Sequence, residues 1–160
     1  MRLSNHKETR VIPGIYYFSV VLFFLLIFLN SQLGRALFPN EKIYLSSLGL
    51  IVLFQIYIYT CGKYFEYDSE GQIVTIVNKG MILSRFIDYR NRQLEIKRDQ
   101  IINFKLYDFI IYKRLVIVAK DNYGRKFKRH LNLSFLKPKK VKLVKKSLSR
   151  LIQKNNEAKV

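Results

Sequence analysis

The sequence predicts an α+β membrane protein: a two-helix transmembrane hairpin, then a small antiparallel β domain, then one amphipathic C-terminal helix. Three observations predict it. Residues 11–34 and 43–62 are charge-free, and each run is near the roughly 20 apolar residues a helix needs to cross the ~30 Å hydrocarbon layer. Residues 63–133 repeat short alternating or β-branched stretches between turn formers, which is the pattern of strands. The period then changes. Val141, Val144, Leu148, Leu151 and Ile152 recur at three- and four-residue spacing, one face of a helix.

The hairpin helices are expected at about 11–30 and 43–62, after a basic N-terminal tail over 1–10. The first apolar core, 15–29 (IYYFSVVLFFLLIFL), exceeds the ~7–15 residues of a signal-peptide core, and no A-x-A-like cleavage site follows it. A β domain of 98 residues is too small to cover two such helices as a soluble core. The connection over 31–42 holds Gly34, Pro39 and Asn40, so the helices are antiparallel neighbours. Tyr16, Tyr17, Tyr57, Tyr59 and Tyr64 gather near one boundary as an aromatic belt. Ser19 and Gln55 lie at similar depth and are expected to face each other or a partner helix, because a polar group facing lipid is costly. Ser46, Ser47 and Gly49 form a small-residue group for helix packing. The lone Cys61 excludes an intramolecular disulfide and reads as an inert thiol at a helix end. Arg2, Lys7, Arg10, Lys63 and Lys79 flank one side, against Arg35 and Lys42 on the other. This bias places both termini in the cytoplasm.

Seven strands are predicted, at 63–68, 72–77, 81–88, 92–97, 101–107, 114–120 and 125–131. Turns fall at 69–71, 78–80, 89–91 and 121–124, the last (DNYG) a hairpin signal with glycine where positive φ is needed. Pro138 suits a first helical turn. The domain is read as 63–154, with 155–160 frayed.

Of 29 Lys and Arg residues, 24 lie in 63–160 with nine of the 11 acidic residues, so this part carries +15 of the net +18. Such charge attracts the phosphates of lipid or nucleic acid. An unspecific solubilising surface in a Lys-, Asn- and Ile-rich chain accounts for it equally. The candidate anion-binding residues are Lys120, Arg125, Lys126, Lys128 and Arg129 on the last hairpin and Lys139, Lys142 and Lys146 on the helix. Near an anionic leaflet each would contribute about 1 kcal/mol. Arg85, Arg90, Arg92, Lys97 and Arg98 read as solubilising. Nucleic acid needs exposed stacking rings beside the charges, and Phe127 fits the core better than a stacking site. The two histidines, His6 and His130, are isolated, and metal-ligand spacing, phosphate-cradling glycine loops and nucleophile motifs are missing. No enzymatic activity, metal or cofactor is therefore expected.

From KYFEYDSEGQIVTIVNKG to DNYGRKFKRHLNLSFL plus the closing helix, the strand–turn rhythm resembles the pleckstrin-homology (PH) superfold. More narrowly, the whole chain resembles bacterial membrane proteins with a transmembrane hairpin and a PH-like domain. The resemblance implies a seven-stranded antiparallel PH-like barrel or sandwich in the bacterial inner (cytoplasmic) membrane. It implies lipid or protein binding and no enzymatic activity; with the basic charge and the hairpin tether, the expectation is a non-enzymatic interaction module apposed to anionic phospholipid head groups of the cytoplasmic leaflet and engaging a protein partner. The alternative is an accessory subunit of a larger inner-membrane complex, a transporter or secretion system, assembled through the hairpin. The phosphoinositide site of PH domains does not carry over. The first turn here is Asp68-Ser69-Glu70, the second strand QIVTIV has no basic residue, and Arg90-Asn91-Arg92 falls in the third turn.

Overall fold

A computed structural model describes residues 1–33, 40–82, 91–109 and 112–157. The elements are β1 (Arg2–Ser4), α1 (His6–Thr9), α2 (Ile12–Leu33), α3 (Glu41–Cys61), β2 (Lys63–Asp68), β3 (Ile73–Gly80), β4 (Asn91–Lys97), β5 (Ile101–Asp108), β6 (Lys113–Lys120), β7 (Lys126–Asn132) and α4 (Pro138–Glu157). They form an α+β structure with two antiparallel sheets, one ordered β1-β2-β3-β4 and the other β5-β6-β7. Among the described residues no ladder joins the sheets, so the expected barrel is not closed. A 3-10 turn, Arg98–Gln100, separates β4 from β5, so these sequence neighbours sit in different sheets, whereas closure requires a continuous hydrogen-bond stagger around the ring.

Seven strands are described, but they are not the seven expected. The segment read as a tail supplies β1, which pairs with β2 through Leu3↔Tyr67 and Ser4↔Glu66. The hairpin is therefore inserted between the first two strands of the domain. Of the strand expected at 81–88, Met81 and Ile82 are bends, and the remainder lies outside the described residues, as do Gly34, Arg35, Pro39, Arg85 and Arg90. β3 runs through the turn expected at 78–80. Asn78 is buried there, and its amide donates to the Asn132 carbonyl at 2.8 Å. At the other end α4 continues to Glu157 because Asn155 Nδ2 donates to the carbonyls of Arg98 and Ile101, at 2.6 and 3.0 Å.

Alternation sorts each strand. Phe65, Tyr67, Val74, Ile76 and Ile96 from one sheet and Leu115, Ile117, Ala119 and Leu131 from the other turn inward. Val141, Val144 and Leu148 of α4 complete the same cluster.

α2 and α3 are long and apolar enough to cross a membrane. They pack on each other, but most of their surface is uncovered. Phe18, Phe24 and Leu50 are 69, 64 and 67% exposed. A core helix of a water-soluble domain would bury such side chains.

Candidate anion-binding surfaces

The strands give the domain two ends. Gly62 joins α3 directly to β2, so Lys63 and its partner Gly80 mark the end at the hairpin. Five residues on, Asp68 marks the far end, about 17 Å away at ~3.3 Å per residue. Antiparallel pairing sorts the rest. Asp108, Lys113 and Asn132 lie toward the hairpin; Ile101, Lys120 and Lys126 lie far from it. Gln100 Nε2 donates to Asn122 Oδ1 at 2.8 Å, gathering the far turns together.

The hairpin end is locked mostly by neutral groups, beside an ion pair from Glu8 of α1 to Lys140 of α4 at 3.0 Å. Asn5 is fully buried. Its backbone N–H donates to the Phe65 carbonyl (3.1 Å), its Oδ1 accepts from the Phe65 N–H (2.7 Å), and its Nδ2 donates to the Lys63 carbonyl (3.0 Å). Asn132 Nδ2 donates to the Thr60 carbonyl at 3.2 Å. A Cβ on Gly62 would stand 2.5 Å from the Ile58 carbonyl oxygen and 2.8 Å from Ile12 Cγ2, so only glycine fits. Ile12, Ile58 and Ile82 form a second apolar cluster, flanked by Tyr16, Tyr57, Tyr59 and Phe135.

The outer face of β5-β6-β7 is basic. Register sets its rows. Tyr107–Arg114 lies nearest the hairpin. Lys105–Val116–His130 comes next, then Asn103–Val118–Lys128, then Lys120–Lys126. Val116 and Val118 floor a concavity of about 420 Å³, rimmed by Lys105, Arg114 and Lys128, with Tyr107, Phe109 and Tyr112 at its hairpin end. Phe109 is 62% exposed.

The structure thus places Lys120, Lys126 and Lys128 on this face. It sets Arg125 and Arg129 apart. Arg125 Nε pairs with Asp121 Oδ2 at 3.1 Å, and its guanidinium sits 5.4 Å from the Tyr123 ring. Partial desolvation opposes the charge on Asp121, but the Arg125 and Tyr123 amides and the Arg125 guanidinium outweigh it and hold the carboxyl below its ordinary value. Arg129 covers the half-buried Phe127 ring at 5.6 Å. Lys139, Lys142 and Lys146 are exposed on α4. Sequence reading missed Lys105 and Arg114, because which face they share depends on register across three strands.

In the hairpin, Ser19 and Gln55 are brought together. Gln55 Nε2 donates to the Ser19 carbonyl at 3.3 Å, and Ser19 Oγ bonds back to the Tyr16 carbonyl at 2.7 Å. The small-residue group divides. Ser47 is half-buried and bonds to the Tyr44 carbonyl at 2.7 Å, whereas Ser46 and Gly49 face outward. Comparison with protein-family models, with curated proteins and with solved structures finds no match, so the functional reading rests on this geometry.

Proposed function

We propose that the chain is a non-enzymatic, membrane-anchored interaction module, with a PH-like domain held against an anionic leaflet and its far end free for a partner. Supporting the anchor are two exposed apolar helices of membrane-spanning length. Supporting the PH-like reading are the four-stranded and three-stranded sheets closed by a C-terminal helix. Both termini sit on the hairpin's domain side, since β1 pairs with β2 and Lys140 Nζ donates to the Ser4 carbonyl at 2.6 Å. With the flanking Lys and Arg bias, this side is the cytoplasmic face of a bacterial inner membrane.

One observation carries the lipid contact: Arg114 and Lys105 lie in the two rows nearest the hairpin, beside the exposed rings of Tyr107 and Phe109. Rows on one face are about 6.6 Å apart, and the membrane field decays over ~8 Å at physiological salt. Arg114 and Lys105 therefore feel the leaflet strongly, Lys128 less, and Lys120 and Lys126 little. Aromatic rings at the same level suit the headgroup layer.

The test is lysine acylation footprinting of the full chain in nanodiscs. Lys105 should be protected in anionic relative to zwitterionic discs, Lys126 should not, and high salt should erase the difference. Equal labelling of Lys105 in both discs would refute the lipid contact.

A second reading has its own support. Ser46 and Gly49 face outward on α3, and nothing lies within 4 Å of a Cβ built on Gly49. Close helix approach uses such a surface, as an accessory subunit of a larger complex would.

A further inference from the structure

At the far end of the domain, between the C-terminal half of α4, the β2–β3 turn and the 3-10 turn, lies a pocket of about 400 Å³ lined by Ser69, Arg98, Lys146, Ser147, Arg150 and Lys154. We propose that it is a binding site for a compact, soluble, multiply charged phosphate-bearing anion. It shares no residue with the lipid-facing rows, so it stands independently of the membrane reading.

Three observations converge. Four cationic side chains line the pocket, and among the described residues no acidic one does. None of the four forms an ion pair among the described residues, and Glu70 in the turn is engaged with the ammonium of Met1, which also lines the pocket, at 3.3 Å. Arg98 is the fixed member. Its Nη2 donates to the carbonyls of Ser69 and Glu70, and its Nε is buried without a partner. Neutral carbonyls orient a guanidinium but leave its charge uncompensated, and a cation held partly out of water gains most from an anion brought to it. Hydroxyls supply the third feature. Ser147 Oγ lies 2.9 Å from the Tyr67 hydroxyl and 3.3 Å from Ser69 Oγ, which fixes both serines at the pocket wall.

Spacing on α4 makes the site. Lys146, Arg150 and Lys154 repeat every four residues and share one face. Like charges at that spacing repel by a few tenths of a kcal/mol per pair, a cost that a bound anion reverses. The volume falls within the ~300–1,000 Å³ of small-molecule sites. Among the described residues no aromatic ring lines the pocket, so the recognition is of phosphate and not of a base. Its distance from the hairpin, about one strand length or 17 Å, favours a soluble anion over a head group of the anchoring leaflet.

The test uses the full chain in detergent micelles, titrated with inorganic pyrophosphate by calorimetry. Saturable binding is expected. Lys146→Glu and Arg150→Glu should each weaken it about tenfold or more, the scale of one charge-assisted contact. Lys142→Glu, the same charge change on the same helix but outside the pocket, should weaken it less than about twofold. No saturable binding by the unmodified chain would overturn the proposal. So would an equal loss in all three variants, which would mean diffuse attraction by net charge.

Discussion

The two ends of the domain solve opposite problems with different residues. At the hairpin end the chain crosses between helix and sheet twice, and the ties there are mostly neutral: Asn5 to Lys63 and Phe65, Asn132 to Thr60, and Gly62 against Ile58 and Ile12, with α1 adding an ion pair from Glu8 to Lys140 at 3.0 Å. At the far end the turns carry Arg98, Lys120, Arg125 and Lys126, and α4 adds Lys146, Arg150 and Lys154. Charge near the apolar boundary would be costly to desolvate, so the fully buried ties of the joint are amides and aliphatic packing. The far end has no such constraint. The two ends use their basic residues differently: Lys63, Lys79, Lys113 and Arg114 stand at strand ends near the hairpin, whereas Arg98, Lys146, Arg150 and Lys154 gather around one pocket at the far end.

The largest expected effect of breaking this contrast is at the joint. Asn5→Ala removes the side-chain partners of a buried backbone N–H and a carbonyl, which costs about 1–3 kcal/mol for a buried group left unsatisfied. Arg125→Ala at the far end removes an exposed ion pair, for which less than about 1 kcal/mol is expected. Unfolding midpoints in detergent, compared for the two variants, check the ranking.

A smaller effect sharpens the comparison between the ends. Along β1–β2, Arg2 Nε bonds to Glu66 Oε1 at 2.6 Å, and the Tyr64 hydroxyl donates to Glu66 Oε2 at 2.6 Å. The Tyr64 hydrogen bond is the main reason the Glu66 carboxyl is held below its ordinary value; burial opposes this and Arg2 adds to it. Burial first, and then the bond to Glu66, pushes Tyr64 up to about 12. A depressed carboxyl stabilises the fold fully above its unfolded value and loses that contribution as pH falls through the folded one. The stability gap between the unmodified chain and Glu66→Gln should therefore be constant at neutral pH and shrink below about pH 4.5. Denaturant titrations from pH 7 to pH 3 measure it.

Much of this was legible in the sequence, and what was not has a physical cause. Charge-free length located both helices to within three residues at each end, and the four-residue recurrence located α4. The DNYG turn placed β6 and β7, with Gly124 at φ 78°. β1 escaped because three residues, Arg2–Ser4, carry no periodicity; their pairing partner lies over 60 residues away, beyond the hairpin. Asn78 and Asn155 read as a turn and a frayed end, since asparagine is common in both. Their amides instead reach carbonyls on distant elements. The far pocket was not legible at all. Arg98 and Lys146 are 48 positions apart, and only the packing of α4 on the 3-10 turn brings them to one wall.

The central claim, that the hairpin end of the sheet meets the leaflet while the far end stands clear, is tested most directly by depth. In a Cys61→Ser background, Phe109→Cys and Tyr123→Cys would each carry an environment-sensitive fluorophore, with the full chain in anionic vesicles containing lipid-borne quenchers. Strong quenching is expected at 109 and almost none at 123. Equal quenching, or the reverse order, would contradict it.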